Sequence, residues 1–123
     1  MSKRMSDADI EKALRSTAAS YERNLTGARK QLKQEMEGIR VYVGTLDTLI
    51  RSQELAAVWR LVLTQLDDHT VTASTHLDLF RLQAQEILTV WEPSQSTSDI
   101  HRIEDKAMAA AWRRFLKDTK GMI

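Results

Sequence analysis

The chain has no cysteine, one proline and four glycines among its 123 residues. Without cysteine there is no disulfide framework, thiol nucleophile, zinc finger or iron–sulfur cluster, and a cytoplasmic setting is the default expectation. The scarcity of proline and glycine leaves few places for long helices to stop. Long apolar runs are missing too: the best stretches are interrupted by Arg60, Gln65 or Asp67, well short of the roughly 20 apolar residues a spanning helix needs. No membrane role is expected. The first residues are basic but lead into Asp7, Asp9 and Glu11 rather than an apolar segment, so no secretory signal is expected either.

Signatures of chemistry are equally sparse. There is no glycine-rich phosphate loop, no Gly-x-Ser-x-Gly elbow and no dinucleotide fingerprint, and neither His-Glu-x-x-His nor Glu-x-x-His occurs. Acidic side chains on helix surfaces beside basic ones ordinarily serve as solvated partners rather than paired catalytic acids. The expectation is a protein that is not an enzyme, with no cofactor, no bound metal and no small-molecule substrate. His69 and His76, near Asp67 and Asp78, are the one grouping with metal-ligand residue types. They fall in a stretch that reads as an interhelical turn, where capping and solvation account for them.

Hydrophobic periodicity points to an all-α chain. At about 100° per residue, Ile10, Leu14, Ala18, Tyr21, Leu25, Ala28, Leu32, Met36, Ile39, Val43, Leu46 and Ile50 fall on one stripe. This predicts one long helix over 7–51, roughly 65 Å at 1.5 Å per residue, with Ser6 as N-cap. Gly27, Gly38 and Gly44 compete with that continuity, and Gly44 is the expected break if there is one. A helix over 52–68 follows, with Leu55, Val58, Trp59, Val62 and Leu66 inward. Thr75 and Asp78 have capping-box spacing and open a helix over 75–92, stopped by Pro93. A polar turn over 93–98, with Ser98 as a cap, leads to an amphipathic helix over 99–120 ending at Gly121. The architecture expected is an elongated bundle of about four helices in a single domain: a long N-terminal helix, a central hairpin and a C-terminal helix.

The formal charge of +1 conceals a pattern. Residues 1–51 carry ten basic and seven acidic side chains, 52–99 two and seven, and 100–123 six and three. A net −5 segment therefore lies between two of +3. On the last helix Arg102, Lys106, Arg113, Lys117 and Lys120 share a sector opposite Ile100, Ala107, Met108, Ala111 and Phe115. On the first, Arg29, Lys33 and Arg40 share a sector with Arg15, mixed with Glu11 and Glu22. If these helices pack side by side, the two ridges merge into a surface for nucleic-acid phosphates or an acidic partner. A solvated helix face is the ordinary alternative.

Trp59, Trp91 and Trp112 read as core anchors, with Trp112, beside Arg113 and Arg114, the candidate interface aromatic. Val41, Leu61, Leu79, Leu82 and Val90 stray from the main apolar sectors. Four of the five lie in the 52–92 hairpin, which suits either a central element or a surface buried against another chain. In size, helical content and basic ridges the chain resembles, as a class, the small helical subunits of CRISPR effector complexes, which line a nucleic-acid path without catalysing anything. The resemblance implies a non-catalytic subunit of a nucleoprotein assembly, with other protein subunits or further copies as partners. A protein-only module, such as a phage or secretion-related adaptor, chaperone or inhibitor, is the alternative. A small DNA-binding regulator reading through the last helix comes third, without a glycine-containing helix-turn-helix to support it.

Overall fold

The structure is a computed structural model that describes residues 5–67, 71–90 and 99–122, leaving aside the side chains of 99–103. Its described elements are α1 (Asp7–Glu37), α2 (Val43–Leu66), α3 (Ala73–Val90) and α4 (Asp99–Thr119), the last closed by a 3₁₀ turn at Lys120–Met122. No strand occurs among the described residues. The turn over 93–98, the Ser98 cap, Trp91 and His69 lie outside them.

Ser6 caps α1 as expected, its hydroxyl accepting from the Asp9 N–H at 3.2 Å. The expected continuation of the first helix through residue 51 is corrected. The chain breaks at 38–42, six residues before Gly44, and α2 begins nine residues earlier than the 52–68 helix read from the sequence. The break has a defined mechanism. The Arg40 N–H donates to the Glu35 carbonyl at 2.9 Å and the Ile39 N–H to the Met36 carbonyl at 3.1 Å, the paired bonds of a Schellman ending. That ending places a left-handed residue after the C-cap, and here it is Ile39, at φ 58°, while Gly38 sits one position too early at φ −81°. A β-branched residue is a poor occupant of this conformation.

The start of α3 is corrected by two residues. Thr72, rather than Thr75, is the capping hydroxyl, accepting from the Thr75 N–H at 3.3 Å. The Ser74 N–H in the same first turn donates to the Asp7 carboxylate at 3.0 Å, so α1 and α3 start at the same end of the bundle.

The helices alternate in direction. Arg15 meets Asp67, Glu22 meets Arg60 and Glu35 meets Thr45, the signature of an antiparallel α1–α2 hairpin. Trp59 meets Phe115 and Glu54 feels the charge of Glu104, so α2 and α4 run the same way. Around the bundle the neighbours follow the order α1, α2, α4, α3, with α3 closing back on α1.

The core occupies the end where all four helices meet. Ile10, Leu14 and Ala18 of α1, Val58, Trp59, Val62 and Leu66 of α2, Leu77, Phe80 and Ala84 of α3, and Ala111, Trp112 and Phe115 of α4 form one buried cluster. Val58, Trp59, Val62, Leu66, Ala111 and Phe115 are among the inward positions read from the sequence, with Leu55 and Met108 partly buried against the cluster. Phe115 is its hub, with ring centroids 5.3 Å from Trp59, 6.0 Å from Phe80 and 6.3 Å from Trp112, all edge to face. That is the arrangement aromatic quadrupoles favour. Trp59 Nε1 is buried with no acceptor, a desolvation cost of about 1–3 kcal/mol that the packing around it offsets. At the end of α4 the fully buried Thr119 hydroxyl donates to the Phe115 carbonyl at 2.7 Å and accepts from Arg81 at 2.5 Å. Arg81 also donates to the Leu116 carbonyl at 2.8 Å, satisfying a helix end that lacks intrahelical partners.

Candidate functional site

Seven of the eight basic residues singled out in the sequence have described side chains, and all seven are exposed: Arg29, Lys33, Arg40, Lys106, Arg113, Lys117 and Lys120. Arg102 lies within α4, but its side chain is outside the described residues. None of the seven forms an ion pair among the described residues. Other arginines are engaged: Arg15 with Glu11 and Asp67, Arg51 with Asp47, Arg60 with Glu22, and Arg114 with Asp118. Arg15, Arg60 and Arg114 thus tie helices together, Arg51 pairs within α2, and the seven singled-out cations face outward. Arg23 and Lys30, which the sequence reading left out, belong to the outward set.

The expected merger of the two basic ridges is not what the fold produces. α1 packs on α2, and α4 packs on α2 and α3, which places α1 and α4 diagonally. They communicate through one polar cluster, in which the half-buried Tyr21 hydroxyl donates to Asp118 and accepts from Arg114 Nε at 3.2 Å. Burial, followed by the Asp118 carboxylate, pushes the Tyr21 hydroxyl above the ordinary tyrosine range. Two separate basic features result.

The first is the outer face of α4. From Lys106 to Lys120 the chain holds five basic side chains and one acid, Asp118, and that acid is already held by Tyr21 and Arg114. Lys106, Arg113, Lys117 and Lys120 therefore project over about 21 Å of helix with no competing carboxylate on that stretch. Trp112 does not join them. It is buried beside Phe115, which corrects its candidacy as an interface aromatic. Its position between the apolar and basic sectors is resolved inward because α2 and α3 both flank α4.

The second feature is the tip of the α1–α2 hairpin, which periodicity alone misassigned. Met36, Ile39, Val43 and Leu46 lie on the stripe that marks the core face, yet they are exposed, Ile39 to 94% and Val43 to 78%. Val41 and Tyr42 are exposed with them. Once the chain turns at 38–42, these residues no longer face a neighbouring helix. The sequence held a signal for this: Ile39-Arg40-Val41-Tyr42-Val43 is rich in β-branched and aromatic residues, which favour extended backbone over helix. Arg40 lies over the Tyr42 ring at 5.5 Å, and Arg29 and Lys33 line a shallow groove with Leu32, Met36 and Glu37.

What holds this tip is one carboxylate. Glu35 is buried and accepts from the Tyr42 N–H at 2.8 Å, the Thr45 hydroxyl at 2.5 Å and the Gln31 amide at 2.9 Å. Tyr42, the N-cap of α2, contributes no side-chain cap of its own, so Glu35 caps that helix from across the turn. The Thr45 hydroxyl, then the Tyr42 N–H, hold the Glu35 carboxyl below the usual carboxylate range.

His76 is buried on α3, with its suggested companion His69 outside the described residues. No group of three or more ligand-type side chains suited to a metal occurs among the described residues. No described helix is long and apolar enough to cross a membrane. No family model, curated protein or solved structure matches the chain.

Proposed function

We propose that this chain is a non-catalytic helical subunit of a nucleoprotein assembly, with the outer face of α4 laid along a phosphate backbone. The observation that carries this reading is the set of four outward cations, Lys106, Arg113, Lys117 and Lys120, on a stretch whose single acid is engaged elsewhere. Cations without a carboxylate partner are the groups able to replace counterions condensed on nucleic acid. With Trp112 buried, the face has no described aromatic on which to stack a base, so contact would be with backbone and largely independent of sequence.

The test is binding of mixed-sequence single- and double-stranded nucleic acid, followed by fluorescence anisotropy across a salt series. Four phosphate contacts on duplex DNA correspond to a slope of log affinity against log salt of about −3.6. Charge reversal at Arg113, Lys117 and Lys120 flattens that slope, while reversal at the already paired Arg51 leaves it unchanged. No binding at low salt, or equal slopes for both variants, overturns the reading. A protein-only interaction module is the second reading, favoured by the exposed apolar residues of the hairpin tip.

A further inference from the structure

We infer that the α1–α2 hairpin tip inserts shallowly into an anionic lipid surface. The lack of a spanning segment, from which no membrane role is expected, does not bear on this mode of contact, which needs only apolar side chains at the leading edge and cations behind them. Ile39, Val41, Tyr42 and Val43 make the turn and the start of α2, Met36 and Leu46 lie within a turn of it, and all six are exposed. Tyr42 has an apolar ring and a polar end, the combination that sits at the headgroup boundary. The tip also stands clear of α3. α1 and α3 start together, where the Ser74 N–H meets Asp7, yet α1 has 31 residues and α3 has 18, so the hairpin extends roughly 20 Å past Val90 at 1.5 Å per residue.

The charge follows the order that such a surface requires. Residues 29–46 carry Arg29, Lys30, Lys33 and Arg40 against Glu35 and Glu37, a net of +2. Glu35 is buried and bonded to Tyr42, Thr45 and Gln31. Glu37 is therefore the one outward acid among four outward bases. Lys33 and Arg29 lie roughly 8 and 14 Å back from Gly38 along α1. With the apex sunk about 5–10 Å, their long side chains reach the phosphate level.

The backbone of the turn is prepared for an apolar medium, where a polar group without a partner is costly. The N–H groups of Gly38, Ile39 and Arg40 donate to the Gln34, Met36 and Glu35 carbonyls at 3.1, 3.1 and 2.9 Å, and the Tyr42 N–H to the Glu35 carboxylate at 2.8 Å. Those bonds also fix the turn before contact, so little ordering is lost on insertion. Other occupants fit less of this. Two copies meeting tip to tip would bring like charges together. Nucleic acid would satisfy the cations and leave the aliphatic apex in water. A protein partner would need a concave acidic complement to a convex tip, whereas a bilayer offers anionic charge and then apolar depth on a flat boundary.

The experiment is co-sedimentation with vesicles of mixed phosphatidylcholine and phosphatidylserine, against vesicles of phosphatidylcholine alone. The chain is expected to bind the mixed vesicles at least about tenfold more tightly. It has no cysteine, so Val41→Cys places an environment-sensitive fluorophore at the apex alone, and its emission should shift to the blue on binding. Ile39→Asn with Val43→Ser keeps the charge and suits the local backbone, since asparagine tolerates left-handed geometry and serine a helix start. This pair should weaken binding about a hundredfold. If its circular dichroism departs from the wild type, the fluorophore shift decides alone. Arg29→Gln with Lys33→Gln should weaken binding about tenfold, while the same charge change at Lys117→Gln with Lys120→Gln, at the other end of the bundle, should cost no more than about twofold. No binding to the mixed vesicles, binding that survives loss of the apolar pair, a fluorophore that stays in water while the chain is bound, or equal losses for the two charge pairs would overturn the inference. So would self-association without vesicles that the apolar pair abolishes, which would assign the tip to a second copy.

Discussion

The two ends of this molecule are held by opposite means. At the four-helix end, rigidity comes from apolar burial around Phe115, which touches Trp59, Phe80 and Trp112 and is itself fully buried. At the hairpin tip almost every large apolar side chain is exposed, and geometry comes from Glu35, whose carbonyl closes α1 and whose carboxylate opens α2. The contrast shows why the tip can leave apolar side chains exposed. A turn stabilised by hydrogen bonds does not need to bury its own apolar residues, so they stay at the surface. The cost is a dependence on one ionised group and an isoleucine in left-handed backbone.

Phe115→Ala against Val43→Ala is the sharpest probe of this difference. The first should lower unfolding free energy by about 3–5 kcal/mol, and the second by no more than about 0.5 kcal/mol, both read from denaturant midpoints. Comparable losses would mean that the tip belongs to the core after all.

Glu35→Gln is expected to have the next largest effect, and its signature is pH dependence. The folded state holds this carboxyl below its unfolded value, so its contribution is present above the ordinary carboxylate range and is lost as pH falls through the lower folded value. Thermal melts should therefore show wild type and Glu35→Gln furthest apart at neutral pH and converging in acid. A gap that widens in acid would contradict the assigned role of the carboxylate.

Ile39→Gly should produce the smallest change and the opposite sign. Releasing a β-branched residue from left-handed backbone is worth roughly 1–2 kcal/mol, partly offset by the greater freedom of glycine when unfolded. A net gain of a few tenths to about 1 kcal/mol is expected. A loss of stability would show that Ile39 is held by more than its turn.

The sequence alone determined the helical class, much of the inward face of the core end and the outward orientation of seven of the basic residues it singled out. Each depends on local periodicity, because side chains at 3.6-residue spacing share a face whatever the helix packs against. Ser6 was legible as a cap for the same local reason. The break at Gly38 was not legible in the periodicity, since the apolar spacing keeps phase across the turn: Met36, Ile39 and Val43 continue the stripe of Leu32 even though the chain reverses between them, and only the β-branched and aromatic run at 39–43 hints at it. Only the tertiary structure decided that reversal, through the bonds Glu35 makes to Tyr42 and Thr45 across the turn. It also decided that α1 and α4 lie diagonally, keeping the basic ridges apart, and that Trp112 points inward. Periodicity specifies which residues share a face of a helix; which faces find a neighbour depends on how the helices are arranged in space.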